Sequence, residues 1–460
     1  MKNKPAQTFV MIGIVVAVLL FMHLMPQLTL AGTELRTVDV LSDVVPQVID
    51  IYDVEEEEEE APVSSSALMA GQPAAEPEPA PVSTRPVPKG LTPIQDFSNG
   101  KAGGMSAFYK ALKQSGSMDR PVRVAYFGDS FVESDIMTSE LREQLQQRFG
   151  GAGAGWVDCG TTTNSNRPTV KVRTSGFTSH SVMEKRTFAA RLQGISQRYF
   201  TVNGSASLTL NGTKWKKHVG SWNRAMLYFK TNGGLTIRGE QPGGDGRTFR
   251  PEAKGTVQCA SVEGFMNQVK WSVSGASASD VFYGASLETD KGVVLDNFSM
   301  RGCSGKTLLG IPESTLKSFA EVRPYDLIII HYGLNVAGPK TTEKYGEHYR
   351  GEMGKVIQLF KRCYPQASIL VVGVPDRDQR TASGVKTIKG IEVILRNQLK
   401  LAQEQHVAFF SMFDAMGGKN GMSNMVKQGL ASKDYTHIGH KGGDRLGRKF
   451  FDALMFGYGD

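Results

Sequence analysis

Only four cysteines, Cys159, Cys259, Cys303 and Cys363, occur in 460 residues, widely and irregularly spaced and without a Cys-x-x-Cys pair. That spacing argues against a structural zinc site. RNP motifs, zinc-finger spacing and a basic helical arm are also absent, which sets nucleic acid aside as a partner. Gly151, Gly153 and Gly155 neither follow a strand nor open a helix at dinucleotide-binding spacing, so they make no phosphate cradle. Composition shows no extreme: hydrophobic residues at 40% and charged residues at 21% are near the globular average and exclude collagen, coiled coil and wholesale disorder. What is present is a formal net charge of +8, suited to an anionic cell-wall polymer or membrane surface.

Residues 1–30 read as a membrane anchor or signal segment. Lys2 and Lys4 precede the apolar run Thr8 to Met25, long enough to span a bilayer and longer than the usual signal-peptide core. The charges place the N-terminus in the cytoplasm, so the expected location is the inner membrane with the remaining chain in the periplasm, or export if the segment is cleaved near Thr29 and Ala31. Disulfides are permitted there, and four cysteines allow three pairings among which the sequence does not choose. Residues 31–96 hold the acidic run Glu55 to Glu60 and a series of prolines from Pro62 to Pro93. Such a segment buries too little apolar surface to offset chain entropy and reads as a disordered linker.

Folded structure is expected from residue 97. Val122 to Phe127 reads as a buried strand running into Gly128, Asp129 and Ser130, followed by a helix that Ser134 can cap. Residues 156–297 are rich in Thr, Ser, Gly and Val in short alternating runs, with Asn203-Gly204, Asn211-Gly212 and Asn232-Gly233 as hairpin turns. They predict an all-β sandwich inserted into an α/β domain formed by 97–155 and 298–460. In the second part, Asp326 to Tyr332 and Ser368 to Val374 are continuous apolar strands, and Val407 to Phe413 adds another. Helical stretches at Thr342 to Arg362, Lys386 to Gln405 and Lys441 to Met455 alternate with them. The alternation predicts a three-layer, doubly wound parallel sheet.

Four blocks carry chemistry: Gly128-Asp129-Ser130, Gly305 within Cys303 to Thr307, Gly333-Leu334-Asn335, and Asp434-Tyr435-Thr436-His437. A serine hydroxyl is a weak nucleophile until a base takes its proton, and His437 is the candidate base. Asp434, three residues earlier, is placed to fix the imidazole tautomer. The amides of Ser130, Gly305 and Asn335 would supply an oxyanion hole. His331 sits inside an apolar strand and reads as a core residue, while His440 has no third partner for a metal. Glu133 and Asp135 read as charges at a helix N-terminus. No cofactor or metal is expected.

The order of these blocks resembles the SGNH (GDSL) hydrolase superfamily, over about residues 120–150 and 295–455, with Phe131 in place of the leucine of the GDSL form. That resemblance implies a flavodoxin-like SGNH fold and esterase activity. The anchor, linker, basic charge, β insert and the run Phe149 to Trp156 further resemble peptidoglycan O-acetylesterases, whose insert is a carbohydrate-binding-like module. The implied substrate is an O-acetylated glycan, peptidoglycan by preference, with Trp215, Trp222 or Trp271 as candidate sugar-stacking residues. Two alternatives remain open: an O-acetyltransferase using the same triad with a membrane acyltransferase as partner, and an inactive wall-binding scaffold.

Overall fold

The structure, a computed structural model, describes residues 86–460 except 101, 102, 185, 186, 383 and 460, together with Thr29–Leu30 and Thr33–Glu34. The chain divides into two compact units, Met1–Gln72 and Pro73–Asp460. In the first, Thr29–Leu30 pairs antiparallel with Thr33–Glu34. The anchor and most of the linker lie outside the described residues. Among the described residues no helix is long and apolar enough to cross a membrane.

The second unit begins with β1 (Gln95–Asp96), inside the segment read as linker, then α1 (Ser106–Lys113), β2 (Val122–Gly128) and α2 (Thr138–Phe149). A long run of strands follows: β3 (Gly155–Val157), β4 (Val170–Ser181), β5 (Arg198–Gly212), β6 (Trp222–Thr231), β7 (Thr236–Glu240), β8 (Arg247–Phe249), β9 (Lys254–Met266), β10 (Gln268–Ala276), β11 (Val281–Glu288) and β12 (Val293–Ser299). Alternation then resumes with α3 (Glu313–Val322), β13 (Leu327–His331), α4 (Glu343–Cys363) and β14 (Ser368–Gly373). The hairpin β15 (Asp378–Thr381) and β16 (Gly384–Thr387) precedes α5 (Lys389–Glu404), β17 (Ala408–Ser411), α6 (Gly421–Lys427) and α7 (His440–Tyr458).

One sheet has the order β12-β2-β13-β14-β17-β1, parallel except for β1, which pairs antiparallel with β17. Its central strands are buried along their whole length because helices cover both faces. Right-handed crossovers put α2 and α7 on one face and α3, α4 and α5 on the other. Accordingly α2 packs on α7, and α4 packs on both α3 and α5. The winding direction reverses between β2 and β13, and ligands of open α/β sheets bind at the carboxyl ends of strands at such a point.

The second sheet is antiparallel, in the order β8-β7-β10-β5-β11-β6-β9, with β4 added on β5 and β3 on β11. It is hydrogen-bonded as one continuous sheet, the two halves meeting where Val281 and Phe282 pair with Thr201 and Phe200. Strand alternation then sorts its side chains. Ala225, Leu227 and Phe229 of β6 enter the insert's own core, whereas Met226 and Tyr228 join the core of the α/β sheet. Ala225 to Phe229 of β6 is an unbroken apolar run because both faces of the strand are covered there.

Two sequence expectations change. The α/β sheet resumes at Val293 rather than residue 298, since β12 pairs in parallel with β2 from Val293↔Val122 to Ser299↔Gly128. None of the three Asn-Gly pairs closes a hairpin: Asn203-Gly204 and Asn211-Gly212 lie within β5, and Asn232-Gly233 follows β6, whose partners are β9 and β11. The conformation glycine makes accessible serves a bulge or a crossing as well as a turn. The glycines of the run Phe149 to Trp156 lie in close backbone contact. A Cβ on Gly151 would meet Val293 O at 2.4 Å and one on Gly153 would meet Leu287 O at 2.2 Å, both at positive φ.

Candidate active site

Strand β2 ends at Gly128, and the chain turns sharply there. Asp129 is buried, its Oδ1 accepting the Phe131 N–H at 2.9 Å, and Ser130 follows at the carboxyl end of the strand. Ser134 and Asp135 both have positive φ (54° and 61°), so Ser134 does not cap the helix, which begins only at Thr138. Asp135 is not a surface charge at a helix end. It is fully buried and bound by Arg142, Arg167, Thr138, Thr169 and Asn297. These partners come from α2, β12 and the start of the insert, so the turn carrying Ser130 is anchored on three sides. Burial alone would raise the Asp135 carboxyl, but the two guanidiniums hold it far below the usual carboxylate range.

Far along the chain, residues 431–438 form a tight loop. Ala431 bridges Ile438, Ser432 N–H donates to His437 O at 2.8 Å, and Tyr435 sits at φ 56°. This turn points the His437 imidazole at the serine: Ser130 Oγ lies 3.2 Å from His437 Nε2, and His437 Nδ1 lies 2.7 Å from Asp434 Oδ2. Asp434 Oδ1 also accepts the N–H groups of Thr436 at 2.9 Å and His437 at 3.0 Å. Partial burial works against its ionisation, yet the bonds from the His437 ring and these two amides hold the carboxyl down at about 2. Asp434 is therefore ionised at neutral pH, as an imidazole orienter must be.

Asn335, just past β13, donates one side-chain N–H to Cys303 O at 3.0 Å, leaving the other available. The expectation for Gly305 is not met in the same way. Its N–H donates to Cys303 Sγ at 3.3 Å, and its α-carbon is packed so closely that a Cβ would lie 2.8 Å from the Tyr332 ring. Local sulfur chemistry, invisible in the pattern of residues, claims that amide. Gly302, partly exposed on the same loop at φ 73°, has an N–H with no acceptor among the described residues. Insert residue Gln197 supports this loop, accepting from Thr307 Oγ1 at 2.6 Å and donating to Tyr332 Oη at 3.2 Å.

The other sequence candidates also find places. His331 is buried, its Nδ1 2.9 Å from Tyr126 Oη, and burial drives its basicity down to about 3, so it stays neutral in the core. His440 lies against the Trp215 ring, centroids 4.9 Å apart. Glu133 is buried and pairs with Arg301. Trp222 and Trp271 fill the core of the insert. All four cysteines are free thiols. Two residues escaped sequence reasoning. Arg377 is half-buried beside Asp434 and reaches Leu334 O at 3.5 Å, with no periodic signal to mark it. Asp129, present in the Gly-Asp-Ser block but given no role, has its carboxyl pushed up to about 7, first by burial, against the opposing Phe131 N–H, the His437 charge and the Leu334 N–H.

The raised Asp129 carboxyl has a testable sign. A group ionising at 3.8 unfolded and about 7 folded binds more protons in the native state between those values, so it lowers stability progressively as pH rises across that window. Asp129→Asn keeps the acceptor for Phe131. Melting temperatures at pH 5 and pH 7.5 should differ less in this variant than in the parent protein; an equal or larger difference would assign the dependence elsewhere.

No protein-family model matches the chain, and no curated protein matches it. Solved structures do. A peptidoglycan O-acetylesterase is 19% identical over 79% of this chain and 99% of its own, with a TM-score of 0.66. An acetyl xylan esterase (13% identity, 35% and 81% coverage, TM-score 0.28) and a carbohydrate acetylesterase from Sinorhizobium meliloti (18%, 36% and 79%, 0.25) overlap only in part. In fold, this chain resembles a peptidoglycan O-acetylesterase over nearly its whole described length.

Proposed function

We propose that the chain is a serine esterase that removes O-acetyl groups from a cell-wall glycan, with peptidoglycan as the substrate. The observation that carries this is the line of contacts from Ser130 Oγ to His437 Nε2, 3.2 Å, and from His437 Nδ1 to Asp434 Oδ2, 2.7 Å. His437 takes the Ser130 proton as Oγ attacks the acetyl carbonyl. The resulting oxyanion is met by the Ser130 amide, the remaining Asn335 side-chain N–H and, in place of Gly305, the Gly302 amide. Collapse expels the sugar oxygen, which takes the proton back from His437 and leaves acetyl-Ser130. Water, deprotonated by the same imidazole, then releases acetate. Support for the peptidoglycan assignment is the likeness in fold to a peptidoglycan O-acetylesterase and the +8 formal charge suited to an anionic polymer.

We place the enzyme outside the inner membrane, tethered by Thr8 to Met25. The support is sequence alone: Lys2 and Lys4 before an apolar run of spanning length. The test of function is acetate release by the full chain from O-acetylated peptidoglycan and from O-acetylated xylan, with and without a glycan acceptor. Faster release from peptidoglycan is the expected result. Preference for xylan would reject the substrate, and acceptor-dependent acetyl transfer exceeding hydrolysis would reject the esterase assignment in favour of a transferase.

A further inference from the structure

Trp156, Trp222 and Trp271 are 1%, 1% and 0% exposed, whereas Trp215 is 41% exposed. Trp215 belongs to the loop between β5 and β6, so it is part of the insert, yet its ring meets His440 at the first residue of α7. His440 follows His437 by three residues, and three residues of chain span at most about 11 Å. The indole therefore stands close beside the catalytic loop.

The loop is held firmly. Lys216 Nζ bonds Glu140 of α2 at 2.6 Å and Asp444 of α7 at 2.9 Å, and His218 bonds Glu143 of α2 through its backbone N–H at 3.1 Å and its ring at 2.9 Å. Thr213 Oγ1 accepts the backbone N–H of Trp215 at 3.3 Å and donates to Pro168 O at 2.8 Å. An exposed indole fixed by its sequence neighbours loses little entropy on meeting a ligand. An aromatic ring with a polar edge suits ligands that are part apolar and part wet. Lys214 and Lys217, exposed on either side, make no ion pair among the described residues, and Lys441 is exposed next to His440. Glu140, Glu143 and Asp444, the nearby acids, are all already engaged by Lys216, Arg448 or His218.

We propose that Trp215 is a sugar-stacking subsite of the catalytic cleft, taking the apolar face of a saccharide in an anionic glycan while Lys214 and Lys217 attract its carboxylates. This rests on the esterase reading above and adds the part of the substrate remote from the acetyl group. The insert thereby contributes to the substrate path directly, through a loop at the triad.

Two measurements test it. In the first, Trp215→Ala should raise KM for O-acetylated peptidoglycan strands on the order of tenfold, mainly without loss of kcat, and Trp215→Phe should restore most of the affinity. Hydrolysis of p-nitrophenyl acetate, too short to reach the indole, supplies the reference rate for each variant. An unchanged KM for the strands in Trp215→Ala would overturn the subsite while leaving the esterase reading intact. In the second, tryptophan fluorescence of Ser130→Ala is titrated with de-O-acetylated peptidoglycan strands, and with a chitooligosaccharide as the neutral probe. Protection of the exposed indole from acrylamide, stronger with the anionic strands, is expected. Quenching that neither ligand alters would reject the subsite whatever the protein's catalytic activity, and equal protection by both would reject the role of the lysines.

Discussion

Ser130→Ala should lower kcat for acetyl release by on the order of 10⁶-fold, leaving a residual rate above the uncatalysed one from the oxyanion donors alone. The size follows from the two contacts that line up serine, imidazole and carboxylate, since a group acting as a unit fails when any essential member is lost. The Ser130 side chain is partly exposed at the tip of a turn held by Asp135, so the substitution removes little packing and the fold should persist. Acetate release and circular dichroism on the same preparation decide the matter. A folded variant that retains parental acetate release would mean that the serine is not the nucleophile and would favour a wall-binding scaffold with chemistry elsewhere.

The second large effect lies away from the chemistry. Arg323 is fully buried, its guanidinium binding Asp296 at 2.6 and 2.8 Å, Glu288 at 2.7 Å, Tyr228 Oη at 2.8 Å and Ser286 Oγ at 3.1 Å. Arg123 completes the group with a 2.6 Å bond to Glu288. Tyr228, Ser286 and Glu288 come from the insert, while Asp296 and Arg123 belong to the parallel sheet, so the cluster is the joint between the two. With two arginines and two carboxylates it is neutral as built. Arg323→Met leaves the Asp296 carboxylate buried without its ionic partner, which should cost about 3–5 kcal/mol of stability. The check is a urea midpoint compared with that of Arg323→Met combined with Asp296→Asn. Partial recovery in the double variant is expected, and a single variant as stable as the parent would show that the joint is not held by charge pairing.

The residues of the proposed site are legible in the sequence because Ser130, Asn335 and His437 sit in turns and strand ends, where residue identity is not masked by packing, and the fold brings Ser130, His437 and Asp434 into contact. The strands β13 and β14 were legible for a different reason: burial on both faces leaves an unbroken apolar run. Failures share a cause as well. The sequence reading puts Val293 to Asn297 in the insert because an edge strand of a parallel sheet and a strand covered by a second domain have similar composition. Ser134 has the right chemistry for a helix cap, but neighbouring ties on Asp135 force the backbone into the left-handed region instead. Gly305 was assigned by its place in a motif, whereas its N–H is taken by the thiol of Cys303 two residues away. Arg323 and Asp135 are each the hub of a buried charge cluster, and nothing local in sequence distinguishes them from surface charges, since their partners lie at separations of up to 162 residues.

The chain leaves the parallel sheet for the insert at Gly150 and returns at Val293, and those two points touch: Val293 N–H donates to Gly150 O at 2.9 Å. Topologically the β domain is a loop swelling that could be cut out and its ends rejoined. Energetically it is the reverse, because excision would bare Asp296, Arg123 and the apolar wall that Trp156 and Tyr228 cover. Such an appendage behaves as a fixed jaw rather than a tethered module, and the spacing between whatever it holds and the serine becomes a constant of the molecule. Under the proposed function, a glycan held by the insert meets Ser130 at a fixed distance.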